Sequence, residues 1–425
     1  MCADAFFCSR RKHIITLVLL LITALLLSAC SGAGTKVYAE DLMEGIVPAS
    51  VEGKETDEEF ISQMADFALR IFKGSAGKTV NSLVSPLSVM LALSMTANGA
   101  AGKTLDEMTQ VLGGELSIAE MNKYLYTYVS RLPSSETAKL RIANSIWFRG
   151  DEGRFIPEQD FLQTNADYYM ADAYKAAFDD STLDDINNWV ESNTDGMIDK
   201  ILDQINEDTV MYLINAIVFD AKWEKVYSKN DIINADFRAF DGSVQSAELM
   251  ISEESMYLEG SGATGFLKPY DGGDYSFAAI LPDEGVSLDD FLNAFDGSKL
   301  LEILATAGNV PVTAYTPKFS YDFKVKMNDP LKVMGITDAF DPGRADLSKL
   351  GRSTVGNLYI GEVLHKTFIA VDELGTKAGA VTKVEVNDES YTETKPVRLD
   401  KPFLYAIIDN ATNLPIFIGT VLSLE

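Results

Sequence analysis

Between Thr376 and Asn387 the chain reads Thr-Lys-Ala-Gly-Ala-Val-Thr-Lys-Val-Glu-Val-Asn, and its alternate residues differ in kind. Thr376, Ala378, Ala380, Thr382, Val384 and Val386 are small or β-branched, whereas Lys377, Lys383, Glu385 and Asn387 are polar. Successive side chains of an extended chain face opposite ways, so this segment suits a sheet with one face on a packed core and the other in water. Its flanks do not suit an ordinary strand: Glu373-Leu374-Gly375 gives a flexible approach, and Asp388 to Lys395 is polar, acidic and without apolar anchors. No proline stands from Thr376 to Lys395, so no backbone donor would be missing if the segment joined the middle of a ladder. A segment that suits both an exposed loop and a buried strand is a candidate conformational switch. A plain edge strand followed by a long polar turn satisfies the same residues equally well.

The rest of the chain narrows the chemistry. With 63 acidic and 36 basic residues the net charge is −27, which disfavours a grip on nucleic-acid phosphates or on heparin-like polyanions. Arg10, Arg11 and Lys12 precede an apolar run from Ile14 to Leu27, long for a signal sequence but short for a comfortable membrane span. The run ends in Leu27-Ser28-Ala29-Cys30, which resembles a bacterial lipobox. That resemblance implies a diacylglycerol on the Cys30 thiol and cleavage just before it, and so a secreted protein anchored by lipid at a bacterial cell surface. An ordinary signal peptide or an uncleaved anchor is the alternative. Loss of residues 1–29 removes Cys2, Cys8, three basic residues and one acidic one, taking the net charge from −27 to −29. No disulfide framework is then possible, and His365 remains as the only histidine. One imidazole excludes multi-histidine zinc or iron centres but not a Ser-His-Asp triad. No metal and no cofactor is expected.

Residues 30–56, with Gly32, Gly34, Pro48, Ser50 and Gly53, predict a flexible tether behind the lipid. Order is expected from Thr56, which with Glu59 spells a capping box ahead of Phe60, Met64, Phe67, Ile71 and Phe72 at helical spacing. A second helix is expected after Pro86, with Leu87, Met90, Leu91 and Met95 on one face. Thr182 to Ile201 reads as helix. Ile142–Phe148, Val210–Trp223, Phe277–Leu281, Val312–Phe319, Tyr359–Val371 and Phe403–Val421, broken at Asn410 to Pro415, read as strands. No repeat and no Gly/Pro-rich boundary interrupts the chain after Thr56, so one mixed α and β domain over residues 57–425 is expected.

Longer motifs run through the chain. Val371-Asp372-Glu373-Leu374-Gly375-Thr376-Lys377-Ala378 resembles the serpin hinge. Asp400 to Ile407 (DKPFLYAI) with Leu414 to Gly419 (LPIFIG) resembles the family pattern near the C-terminus. Asn81 to Leu93, Asn98-Gly99-Ala100, Asn144 to Phe148, Asn188 to Glu191 with Thr194, Asn215 to Glu224, Leu281 to Glu284, Pro317-Lys318-Phe319 and Met334 to Phe340 follow in family order. Together they cover about residues 57–425.

The resemblance implies an α+β serpin fold of three β-sheets and eight to nine helices, with an exposed reactive-centre loop at about 373–395. It implies no enzyme but a monomeric suicide inhibitor, whose partners are serine proteases held as a covalent acyl complex. Insertion of the cleaved loop into the central sheet would trap the acyl-enzyme. A non-inhibitory serpin acting as a surface-binding or carrier lipoprotein is the alternative. Residue by residue, Glu373, Gly375, Thr376, Ala378, Ala380 and Thr382 correspond to the hinge. Ser85, Ser88, Asn215 and His365 match the shutter, and Trp223 with Glu373 the breach. Lys377 stands for a more usual acidic residue and Gly379 for an alanine, both on the outward alternation. Family spacing gives two reactive bonds: Glu389-Ser390 counted from the hinge, and Tyr391-Thr392 counted back from Phe403. The first is preferred, because the strand pattern stops at Asn387.

Overall fold

The computed structural model describes residues 38–150, 154–206, 209–376 and 394–424, and its first helix, α1 (Glu58–Ser75), buries Phe60, Met64, Phe67, Ile71 and Phe72. Its cap is not the expected Thr56–Glu59 box. Asp57 stands in extended conformation at the N-cap, and its carboxylate accepts the Phe60 N–H at 3.0 Å. The same carboxylate accepts the Tyr124 hydroxyl, and these two bonds hold its pKa below the ordinary carboxylate value. Aspartate displaces threonine because one side chain serves both donors.

Helix α2 (Pro86–Ala97) starts on the Ser85 cap with proline in its first turn. All of its residues are buried, Ser88, Ser94 and Thr96 included, so in place of the expected one-sided stripe the helix is enclosed on every side. The remaining helices are α3 (Gly102–Gly113), α4 (Ile118–Arg131), α5 (Gln159–Tyr169), α6 (Asp180–Asn193), α7 (Leu288–Ala294), α8 (Gly297–Ala305) and α9 (Asn328–Met334), nine α-helices among the described residues. Helix α6 stops short of the expected Ile201, because Asp195 and Gly196 take φ of 51° and 72°. The Thr194 hydroxyl completes the break by accepting the Ile198 N–H.

Three sheets are formed. The seven-stranded sheet runs β1 (Glu40–Asp41), β5 (Asp172–Ala176), β3 (Ala138–Arg149), β6 (Met211–Lys222), β15 (Gly375–Thr376), β14 (Glu362–Val371), β12 (Phe319–Lys326). The nine-stranded sheet runs β16 (Lys395–Arg398), β11 (Gly308–Pro317), β8 (Val244–Gly260), β9 (Ala263–Pro269), β10 (Tyr275–Pro282), β17 (Phe403–Asp409), β18 (Pro415–Val421), β2 (Ser82–Val84), with β7 (Ile232–Arg238) also paired to β8. A ribbon of β4 (Phe155–Pro157) and β13 (Gly351–Ser353) is the third. The expected strand Val312–Phe319 is two strands in different sheets, separated at Lys318. Strands β17 and β18 are buried at every residue, which explains their unbroken apolar runs.

The expected tether is packed from Ala39 onward. Glu40–Asp41 extends the seven-stranded sheet against β5, the Leu42 N–H donates to Ala173 at 2.8 Å, and Leu42, Met43 and Ile46 rest on the core. Residues 1–29, Cys30, and the loop residues Ala378, Ala380, Thr382, Glu389, Ser390, Tyr391 and Thr392 lie outside the described residues.

Candidate functional site

Strands β6 and β14 are the neighbours between which the hinge lies. At their base they pair directly and in parallel, Tyr212 to Asn215 with Glu362 to His365. Above that point no direct β6–β14 pairing occurs among the described residues. At the top, Gly375 and Thr376 pair antiparallel with Lys222 and Ala221 of β6, and Thr376 pairs with Val371 of β14.

The base is a closed polar cluster set on the N-terminus of α2. The Ser85 N–H donates to His365 Nε2 at 3.1 Å, which makes that nitrogen the acceptor and leaves the proton on Nδ1. From there it is donated to Asn215 Oδ1 at 3.0 Å. Ser88 Oγ also donates to Asn215 Oδ1, while Asn215 Nδ2 donates to the Ser88 carbonyl and, at 2.6 Å, to Asn144 Oδ1. His365 is completely buried, and burial pushes its pKa down to about 3, so it is neutral at physiological pH. Both of its nitrogens are occupied by protein, which leaves it no proton to exchange with a substrate. Ser85, Ser88, Asn215 and His365 are thus brought together, with Asn144 and the Thr367 hydroxyl, bonded to the Leu83 carbonyl at 2.8 Å, completing the group.

At the top, a short loop grips the hinge by its carbonyls. The N–H groups of Trp223 and Tyr227 donate to Leu374 and Glu373, both at 2.9 Å, and Trp223 Nε1 donates to the Asp372 carbonyl at 2.9 Å. The Asp372 carboxylate caps the turn by accepting the N–H groups of Leu374 and Gly375. Glu373 meets Lys318 at 2.9 Å, and that ammonium holds its carboxyl below the usual range. Thr376 is buried, its hydroxyl 2.6 Å from that of Tyr270, whose ring stacks on Trp223 at 4.6 Å.

Trp223, Glu373, Gly375 and Thr376 therefore meet in one place. Tyr270, Lys318, Lys268 and Glu254 are also there but were not foreseen as site residues. A signal existed for one of them: Lys268 is a single charge inside the apolar run Phe266-Leu267-Lys268-Pro269-Tyr270.

Residues 62–424 match the family model described as serpin (serine protease inhibitor). The chain belongs to the serpin family. It is similar to an uncharacterized serpin-like protein of Thermococcus kodakarensis, 30% identical over 85% of each chain, and to leukocyte elastase inhibitor A of Rattus norvegicus, 29% identical over 86% of this chain and 100% of that one. Among solved structures, the thermophilic serpin tengpin in its native state is 54% identical, covering 91% of this chain and 100% of its own, with a TM-score of 0.88. Tengpin in its latent state, at 55% identity, gives 0.79. The serpin described here therefore shares its arrangement more closely with the native form. The family consists in general of protease inhibitors.

Proposed function

We propose that this serpin is an irreversible, suicide-type inhibitor of serine proteases. One observation carries the proposal: Gly375–Thr376 already lies as an antiparallel strand between β6 and β14, which are joined directly only at their base. Continued downward, that register sets Ala378 opposite Phe219 and Ile369, Ala380 opposite Ile217 and Thr367, and Thr382 opposite Asn215 and His365. On β14 the facing residues Ile369, Thr367 and His365 are buried, while Phe368 and Lys366 between them are half-exposed. Ala378, Ala380 and Thr382 would thus meet inward positions, and Lys377 and Lys383, together with Gly379 and Val381, outward ones. Lys377 and Gly379 fall outward and do not obstruct insertion.

A protease acylated by the loop is carried along as the strand is taken up, before water releases the ester. The bond attacked is Glu389-Ser390, with Tyr391-Thr392 the alternative, so the favoured target cuts after acidic residues. A relative that carries the name of an elastase inhibitor supports the inhibitory reading. Incubation of the mature domain with a panel of serine proteases, including one that cleaves after glutamate, is expected to give an SDS-resistant complex. A clipped product alone would overturn the proposal in favour of a non-inhibitory carrier. Mass spectrometry of the released C-terminal fragment identifies the bond.

The chain acts as a monomer on the outer face of a bacterial membrane, held by a lipid on Cys30. Fatty-acid labelling of the wild type in a bacterial host, absent from Cys30→Ala, is the expected result. Equal labelling of both would refute the anchor.

A further inference from the structure

Beneath the hinge lies an ion pair that the inhibitory reading does not use. Lys268 of β9 and Glu254 of β8 meet at 2.8 Å with side chains only 2% and 6% exposed. The Lys268 ammonium has its remaining partners on the hinge-gripping loop: it donates to the Lys225 carbonyl at 3.2 Å and sits 4.4 Å from the Tyr227 ring centre and 5.4 Å from that of Trp223. Lys225 stands between Trp223 and Tyr227, the two residues whose N–H groups hold the Leu374 and Glu373 carbonyls. Glu254 closes the circle, because it accepts the Ser252 hydroxyl at 2.6 Å and that hydroxyl is 3.3 Å from the Tyr227 hydroxyl.

A buried ion pair is a poor device for stability alone. Removing two charges from water offsets most of their attraction, and apolar replacements of similar volume are commonly neutral or better. What such a pair supplies is a fixed geometry, since a fully enclosed ammonium tolerates only arrangements that satisfy it. Here that geometry is the shape of the loop from Trp223 to Tyr227. Two residues further along the chain, just past the end of β9, Tyr270 bonds Thr376. Strand β9 thus reaches the hinge through the loop, and the residue just past its end reaches it directly.

We propose that Lys268, paired with Glu254, is a positioning residue for the hinge: it fixes the loop from Trp223 to Tyr227 in the one shape that presents both amides to the hinge carbonyls, and so sets how insertion begins. The consequence for inhibition rests on the function proposed above, but the positioning itself is read without any protease. The test is hydrogen exchange on the intact mature protein, comparing the wild type with Lys268→Met/Glu254→Gln, which removes both charges while keeping the volume and the acceptor for Ser252. The amides of Trp223 and Tyr227 are expected to exchange about fivefold to tenfold faster, the effect of weakening one hydrogen bond each, with β10 and β17 unchanged. With any protease that forms the covalent complex, the clipped fraction should also rise. Unchanged protection at Trp223 and Tyr227 overturns the proposal, and so does an equal loss throughout the nine-stranded sheet. If the double variant does not fold, Ser252→Ala cuts the link from Glu254 to Tyr227 at a half-buried position, and the same two amides decide. A wild type that forms no complex with any protease refutes the inhibitory reading and leaves the exchange comparison intact.

Discussion

Gly375→Ala is the substitution to which the hinge should be most sensitive, and the reason is proximity. Gly375 is not in a left-handed conformation, so its backbone alone does not demand glycine. A Cβ built on it, however, would stand 2.0 Å from the Ala221 carbonyl oxygen and 2.8 Å from Lys222 Cα. Both are backbone atoms of β6, which is tied to β3 on its other side and has nowhere to retreat. The hinge must therefore move out of its place between the strands. Overpacking of this kind costs roughly 1–3 kcal/mol whenever the hinge is put back in place, so about 2 kcal/mol is a central value. Added to the barrier for insertion, about 2 kcal/mol slows it by roughly 30-fold. Attack on the loop should be unaffected, because Glu389 lies fourteen residues further along the chain. The acyl-enzyme then has time to hydrolyse before it is trapped. Titration of a fixed amount of protease should show the amount of serpin needed for full inhibition rising by more than about tenfold, with clipped serpin accumulating on gels. A folded Gly375→Ala protein that inhibits in the same ratio as the wild type would refute insertion between β6 and β14 at this residue.

Three further outcomes follow from the same geometry. Thr376→Arg places a guanidinium at a position only 2% exposed and faced by a single hydroxyl; unpaired burial should make the variant a substrate, and an unchanged complex yield on gels would contradict that. His365 has a pKa of about 3 in the fold against about 6.5 unfolded, so the unfolded chain takes up the proton first. Its contribution, up to about 5 kcal/mol, is complete above pH 6.5 and lost as the pH falls towards 3. The thermal midpoint should drop across that window, and an equal drop in His365→Gln would exclude this histidine as the cause. Removal of the residues before Val47 strips β1 with Leu42, Met43 and Ile46, three half-buried side chains worth roughly 1 kcal/mol each; a midpoint matching the intact mature chain would show that this docking contributes nothing.

Elements whose pattern is set by their own burial were legible in the sequence, and elements whose pattern is set by neighbours were not. Phe60, Met64, Phe67, Ile71 and Phe72 announce α1 because one face of it is buried. The run around Val210 to Trp223 announces β6 because nearly all of it is enclosed. The seventeen residues of β8 were missed, since the polar run Ser252-Glu253-Glu254-Ser255 interrupts its apolar residues. The docking of residues 39–56 was missed for a different reason: two strand residues and three scattered apolar side chains make no period. At the site, the alternation after Thr376 lies outside the described residues, and Tyr270 meets Thr376 across 106 positions, which no local pattern encodes.

The base of the β6–β14 cleft is joined by polar groups, which suits a sheet that would open under the proposed function. At the base, Ser85, Ser88, Asn144, Asn215 and His365 join the strands through hydrogen bonds worth about 1 kcal/mol net apiece, so the whole cluster contributes a few kcal/mol. A strand laid from Thr376 to Asn387 would make ladder bonds on both edges, on the order of ten at the same net value, and would bury its alternate small residues as well. Under the proposed function, insertion would therefore be downhill once cleavage frees the loop. An interlocked apolar base would resist, since wedging a strand into close-packed side chains costs roughly 1–3 kcal/mol at each misfit. Donors and acceptors can instead exchange one partner for another, and Thr382, arriving opposite Asn215 and His365, would bring a hydroxyl to the point where the old bonds part.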